Sequence, residues 1–506
     1  MVITEPLLSP ITIKIFQTVS YIWACVIICL IISSIAIAIT YFTDKYQKTS
    51  TLRRNYPVIA RFRYLFEHMG VFLRQYFFSD DRGELPFNRA ERSWIYRASK
   101  DIDSTTPFGS SLDIHKPGTA LFVNSAFPTL DEEGIKTSAI TIGPLCKHPY
   151  TTNAIINISA MSYGALSTPA VRALSAGSKL GGMWLNTGEG GLSKYHLEGG
   201  GNLIFQIGTA KFGVRNKDGG FDEDKLKEIA AHPQVKMFEI KLSQGAKPGK
   251  GGILPGIKVT EEIAQIRGIE VGKNAISPNR HPEINKVEDL LNMIEYVRNI
   301  TEKPVGFKIA LSSFDFFEQL CHSINERGEK SAPDYIVIDG GGGGTGAAPS
   351  SLIDSVGLPI KEVLPIAINI IKKHRLRERI KIVASGKLIT PSEIAWALCT
   401  GADFINSARG FMFSLGCIQA LQCNRDTCPT GITTHNKKLQ RGLNPELKSV
   451  RVAAYARNIE KELSIIAHAC GVKEPRELKR SHARIVTTAG TSVSMEELYH
   501  KHTHLD

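Results

Sequence analysis

The stretch GCIQALQCNRDTCPTG sets Cys417, Cys423 and Cys428 at C-x5-C-x4-C spacing, with a proline after the last. Three thiols this close, in a chain with only 9 Cys in 506 residues, argue for a metal or iron–sulfur site rather than a disulfide scaffold. Tetrahedral zinc would need a fourth ligand, for which His435 is a candidate. Three thiolates alone suit a 3Fe–4S cluster, whose three irons each take one. The plain alternative is three unrelated buried thiols. Cys25 and Cys29 lie in an apolar run, and Cys146, Cys321, Cys399 and Cys470 show no partner spacing.

Glycine supplies the second signal. DGGGGGTGAAP, Asp339 to Pro349, directly follows the strand-like YIVI. Consecutive glycines let backbone N–H groups approach a flat or anionic ligand. No Gly-Lys-Ser/Thr follows, which excludes a Walker loop. Further on, VASGKLITPSEIAWAL (383–398) and GADFINSARGFM (401–412) offer two strand ends rich in small residues, which could present donors to one phosphate. A third set is NTGEGG (186–191) with KLSQGAKPGKGG (241–252): Glu189 sits in a glycine loop, and Lys241, Gln244 and Lys247 recur every third residue. A carboxylate and several ammonium groups around one cavity would suit an anionic substrate and proton transfer. Spacing alone fits solvated loop charges as well.

Something must hold these loops. From about residue 115, β-branched runs alternate with helical patterns. The strand candidates are AIINIS (154–159), MFEIKL (237–242), VGFKIA (305–310), YIVIDG (335–340), KIVASG (381–386) and DFINSA (403–408). Between them lie TPAVRALSAGSKLG, VEDLLNMIEYVRNI, SSFDFFEQLCHSINERG, IKEVLPIAINIIKKHRL and TPSEIAWALCTG. Alternation of this kind predicts an α/β fold with a parallel sheet. The number of units suits a (β/α)8 TIM barrel, with an open doubly wound sheet as the alternative. In a barrel the glycine-rich strand ends become active-site loops, and the two late strands fall where phosphate is commonly bound.

The N-terminus is different in kind. From Ile15 to Thr43 there is no charge over 29 residues, and about 20 apolar residues suffice to cross a bilayer as a helix. The run is too long for a signal peptide core and predicts a retained transmembrane helix. Lys14 precedes it, offset by Glu5; Lys45, Lys48, Arg53, Arg54, Arg61 and Arg63 follow. Positive residues stay inside, so the body is expected in the cytoplasm on a single-pass anchor. Segment 53–78 interleaves Arg with aromatic residues, as a helix on the membrane surface or packed on the body would. This collar explains part of the net charge of +12 without nucleic acid. The expected divisions are an anchor (1–48), a basic juxtamembrane region (49–115), a barrel (116–480) and a C-terminal tail (481–506).

Taken in order, ISAMSYGALS (158–167), NTGEGG, KLSQGAKPG, the lysine of GFKIA, GGTGAAP and the three-cysteine run resemble the FMN-binding domain of glutamate synthase. The resemblance implies a (β/α)8 barrel holding FMN beside a 3Fe–4S cluster, and reduction of 2-iminoglutarate, formed from 2-oxoglutarate and ammonia, to L-glutamate. By position it lays Ser159, Ala160 and Met161 along the flavin, with Gln206 and Lys308 at its polar edge. Gly343, Gly344, Thr345 and Gly346 wrap the ribityl and phosphate, and Gly386, Ser407, Ala408, Arg409 and Gly410 complete the phosphate site. Glu189 and Lys241 face the reacting carbon; Gln244, Lys247 and Arg267 hold the substrate; Cys417, Cys423 and Cys428 ligate the cluster.

The chain departs from the complete enzyme in several places. A membrane span replaces the glutaminase domain, so no internal source of ammonia is expected. The C-terminal β-helical domain is not expected either. No nicotinamide-nucleotide fingerprint is present, which assigns electron supply to a ferredoxin or reductase subunit. Lys250 and Ile253 stand where the family often has Glu and Gln. Two other functions stay open: an FMN-dependent oxidase or dehydrogenase of another 2-hydroxy or amino acid, and a non-catalytic, membrane-tethered electron-transfer subunit.

Overall fold

The computed structural model describes residues 10–103 and 105–500. The chain forms two compact units, residues 1–89 and 90–506.

The first unit is built on α1 (Pro10–Tyr46), whose apolar side chains point outward all round. The hydroxyls of Thr18, Ser34, Thr40 and Thr43 each donate to the carbonyl one turn back, at 2.7–2.9 Å. These four hydroxyls are thereby satisfied within the helix. At its end Asp44 is fully buried. It accepts two 2.8 Å bonds from Arg61 and one of 3.2 Å from the Val58 N–H, tying α1 to α2 (Ile59–Leu73). Of α2 only Ala60 is buried; Phe62, Leu65, Phe66 and Phe72 are exposed. The basic collar is thus helical, and most of its large apolar side chains are exposed.

The second unit carries a closed barrel of eight parallel strands. They are β1 (Ile156–Ile158), β2 (Trp184–Asn186), β3 (Asn202–Ile207), β4 (Val235–Lys241), β5 (Val305–Ile309), β6 (Tyr335–Asp339), β7 (Lys381–Ser385) and β8 (Phe404–Ser407). Each pairs in parallel with the next, and β8 closes on β1 through Asn406 opposite Asn157. The expected (β/α)8 barrel is therefore the fold, and the six strand candidates are six of its eight staves. The five helical patterns are α3 (Thr168–Leu180), α4 (Val287–Thr301), α5 (Phe314–Arg327), α6 (Ile360–Lys373) and α7 (Pro391–Thr400). Two short helices of the site follow the pattern less plainly: α8 (Arg409–Leu415), and Glu261–Arg267 between β4 and α4. The long α9 (Pro445–Ala469) packs on α3.

Side chains alternate inward and outward along each strand. The bottom of the barrel is filled by Trp184, Ile204, Met237, Tyr335, Val383 and Phe404, with Ile142 and Tyr150 from an antiparallel hairpin beneath them. Above this layer the interior turns polar: Asn186, Gln206 and Glu239, then Lys241, Lys308 and Asp339 at the C-terminal strand ends. One end is thus an apolar plug and the other a charged mouth. Residues 483–486 and 492–494 of the expected tail form a sheet with Ala120–Phe122. Residues 501–506 lie outside the described residues, as do 1–9.

Candidate active site

Three loops meet at the charged mouth. Glu189 leaves β2 on a glycine loop and accepts a 2.9 Å bond from Nζ of Lys241, the last residue of β4. Glycines in and beside the loop make room for it: a Cβ on Gly208, just after β3, would come within 2.5 Å of the Glu189 side chain, and one on Gly190 within 2.8 Å of the Arg267 guanidinium. Burial is the largest influence on Glu189 and pushes its pKa up. Lys241, then Lys247 and Arg267, outweigh it and hold the carboxyl below its usual range. The charged form of Glu189 is thus favoured by three cations within electrostatic reach.

Those cations differ in what they can still bind. Lys241 is committed to Glu189, and its strand end is held by His281 Nε2 against its carbonyl at 3.1 Å. Lys247 is buried, and burial together with Lys241's charge brings its pKa down to about 8. Arg267, at the end of its short helix, donates from Nη2 to the Tyr163 carbonyl at 3.2 Å and lies over the Phe212 ring. Its buried Nε has no partner among the described residues. Gln244 joins this loop through its backbone, its carbonyl accepting the Lys247 N–H. The arrangement leaves Lys247 and Arg267 to meet an anion while the Glu189–Lys241 pair can hold a proton.

On the other side of the mouth, Lys308 of β5 pairs with Asp339 of β6 at 3.1 Å. Burial works against both charges; each partner's opposite charge outweighs it, raising the lysine and lowering the aspartate. Asp339 also accepts the Gly245 N–H at 3.0 Å. Below them, Gln206 donates to Glu239 Oε1 at 2.6 Å and Asn186 to the same oxygen at 3.0 Å. Asp339 and Glu239 were absent from the sequence-based candidates. Glu239 could have been found as the one acid in an apolar strand, on the same inward face as Lys241.

The glycine run wraps this corner. A Cβ on Gly343 would lie 3.0 Å from the Ala246 N, and one on Gly344 would overlap the Arg409 guanidinium. Gly386 sits at φ +138° with its would-be Cβ 3.2 Å from the Gly340 N. β1 and β8 bring Ser159 and Ser407 together through a 3.1 Å backbone bond, and Met161 follows, buried. Ala160 is half-buried; Ala408 caps α8. Thr345 and Gly346 are exposed, and a Cβ on Gly346 would lie 3.5 Å from Cys423 Cβ. The structure thus gathers the expected residues around one mouth and abuts the glycine run on the cysteine loop.

That loop is fastened by Lys258, whose Nζ donates to the Cys423 carbonyl at 2.7 Å and to the Thr433 carbonyl. Gln419, Leu421 and Asp426 all take left-handed φ values. The three thiols sense one another electrostatically. No three His, Cys, Asp or Glu side chains converge as ligands of a single metal ion among the described residues. His435 Nε2 meets the Gly164 carbonyl at 2.9 Å.

Fold and mouth together define a (β/α)8 barrel with buried lysines and an arginine gathered at the C-terminal end of its strands. The family model described as the conserved region in glutamate synthase matches residues 128–473. The chain is 40% identical to the glutamate synthase large subunit-like protein YerD of Bacillus subtilis (strain 168), over 94% of this chain and 98% of that one. It is 35% identical to an archaeal-type glutamate synthase [NADPH] of Thermotoga sp. (strain RQ2), over 69% of this chain and 65% of the relative. Among solved structures it is similar to a flavocytochrome b2 mutant with pyruvate bound, at 15% identity and a TM-score of 0.47, covering 86% of this chain and 96% of that one. The chain belongs to the glutamate synthase family, and with it to the oxidoreductases acting on CH–NH2 donors.

Proposed function

We propose that this protein is an FMN-dependent oxidoreductase that forms L-glutamate by reducing 2-iminoglutarate, assembled from 2-oxoglutarate and ammonia, with electrons from a separate donor such as a ferredoxin or reductase subunit. The observation that carries the reading is Glu189 on Lys241, its charged form favoured also by Lys247 and Arg267. Two cations suit the two carboxylates of 2-oxoglutarate, and a carboxylate–ammonium pair suits the proton transfers of imine formation and reduction.

FMN fits the residues present. The glycine run leaves a cradle that side chains would fill, with Arg409 beside it. Gln206 and Lys308 border its polar edge, and Ser159, Ala160 and Met161 its flank. When bound, FMN supplies a hydride. The chain's own groups do the rest. Asp339 keeps Lys308 charged beside the cradle. Lys247, Arg267 and Gln244 orient the dicarboxylate, and Lys241 with Glu189 holds the proton near the carbon that becomes the amine-bearing centre. The donor set of Cys417, Cys423 and Cys428, thiols alone, suits a 3Fe–4S cluster, whose thiolates stand wider apart than the ligands of one ion. Bound there, a cluster supplies single electrons. We further propose that α1 is a single-pass membrane anchor with the body in the cytoplasm, on the strength of its apolar surface and the basic residues that follow it.

The test is a screen of purified protein with a reduced one-electron dye. Dye oxidation that requires both 2-oxoglutarate and ammonium, with L-glutamate as product, is expected. Reduction of the same dye, supplied in its oxidised form, by L-lactate or glycolate would instead establish the oxidase reading. Flavin and cluster reduction with no turnover on any 2-oxo acid would leave an electron-transfer subunit.

A further inference from the structure

Lys258 stands on a turn that its own loop holds in place. The segment before it, Ile253–Leu254, pairs antiparallel with Ala275–Ile276. The Gly256 N–H donates to Asn274 Oδ1 at 2.7 Å, and a Cβ on Gly256 would lie 2.1 Å from the Gly272 carbonyl oxygen. From this base the lysine reaches the cysteine loop, 165 residues further along the chain. Its side chain is only 2% exposed. Its Nζ donates to the Cys423 carbonyl at 2.7 Å and to the Thr433 carbonyl.

Fastening two carbonyls needs a donor, not a charge. A buried ammonium gives up its hydration, and two neutral carbonyls replace that only in part. Such a charge is retained where opposite charge lies within reach. The acids that act on Lys258 are Asp426 and the thiols of Cys423 and Cys428. Asp426 is engaged within the loop, its Oδ1 accepting the His435 N–H at 2.7 Å. A thiol that coordinates a metal is deprotonated outright. Once iron is bound, Lys258 therefore faces a fixed negative charge, which grows by one unit when the site takes up an electron. In a site of low dielectric, a fixed cation favours the more negative of two such states.

We propose that Lys258 tunes the iron–sulfur site: its ammonium, anchored on the backbone of the cysteine loop, raises the affinity of the bound cluster for an electron from the external donor. This rests on the 3Fe–4S reading above and adds to it a residue outside the ligand set that adjusts the reduction potential.

The test uses the full-length protein with its cluster, as wild type, Lys258→Gln and Lys258→Arg. Glutamine keeps N–H donors for the carbonyls and removes the charge; arginine keeps both. Each protein is titrated with dithionite while the electron paramagnetic resonance of the oxidised cluster is followed. The equilibrium constant for reduction should fall about tenfold in Lys258→Gln, a midpoint lower by about 59 mV for one electron. Lys258→Arg should match the wild type. An unchanged midpoint in Lys258→Gln overturns the proposal. A Lys258→Gln protein that folds or loads no cluster also overturns it, since Lys258 would then be a structural fastener. A Lys258→Arg midpoint as low as that of Lys258→Gln overturns it as well, because charge would not be the cause. A wild-type protein without any cluster signal overturns the 3Fe–4S reading itself.

Discussion

Glu239 sits in the middle layer of the barrel with Oε1 shared by two amides and Oε2 without a partner among the described residues. Burial drives its pKa up, against Lys308, Gln206 and Asn186, and holds the carboxyl above its usual range. A carboxyl raised in the fold keeps a proton that the unfolded chain releases above about pH 4.3. Stability is then lost as pH rises from that value toward the folded pKa. Glutamine has no proton to lose and still accepts both amides. The Glu239→Gln variant should therefore gain on the wild type in thermal midpoint as pH rises above about 4.3; a pH-independent difference in melting scans would contradict this. Lys247 makes the opposite kind of switch. Its folded pKa is lowered to about 8, so its charge is present below that value and disappears above it. Affinity for 2-oxoglutarate should weaken as pH climbs through about 8, and Lys247→Met should bind weakly with that limb removed, as read by titration calorimetry across pH. Spacing alone showed neither effect, because both arise from which groups the strands bury together.

At the level of elements, the glycine run and the cysteine loop act as one assembly: Gly346 abuts Cys423 and Gly344 makes room for Arg409. Gly344→Val should expel the Arg409 side chain from the turn. Copurified flavin should be lost while far-ultraviolet circular dichroism is retained; retained flavin would separate the glycine run from the cofactor. The strands β1 and β4 to β8 were legible as short apolar runs, most of them rich in Ile or Val and followed by glycine or a small residue. The strands β2 and β3 were not. Trp184–Asn186 contains no β-branched residue, and NLIFQI lies in a glycine-rich stretch with no clear alternation. The helix α9 escaped for another reason: it packs on α3, α7 and α8, so apolar residues are spread around it rather than lying in one stripe. The motif loops were visible as glycine and charge, but their convergence was not, since closure of the barrel sets it. The ordered resemblance supplied that convergence, and Asp339 and Glu239 still fell outside it.

The whole chain joins two units with different solvents in view. One is an outward-facing apolar helix with a basic segment after it; the other is a barrel with a charged mouth. Part of the net charge of +12 lies in the basic segment after α1, and part in the lysines and arginines of the mouth. If α1 spans a bilayer, the full chain should stay in the membrane pellet after alkaline carbonate washing and leave it only with detergent; release by carbonate alone would make the helix a peripheral contact. The central claim is that the mouth reduces an imine of 2-oxoglutarate. Its most direct test is a single turnover: anaerobic, flavin-reduced protein mixed with 2-oxoglutarate, ammonium, or both, with flavin absorbance followed in a stopped-flow instrument. The account predicts reoxidation only with both, stoichiometric with L-glutamate, and slowed about a hundredfold in Glu189→Gln. Reoxidation that ignores ammonium, or a Glu189→Gln variant as fast as the wild type, would contradict it.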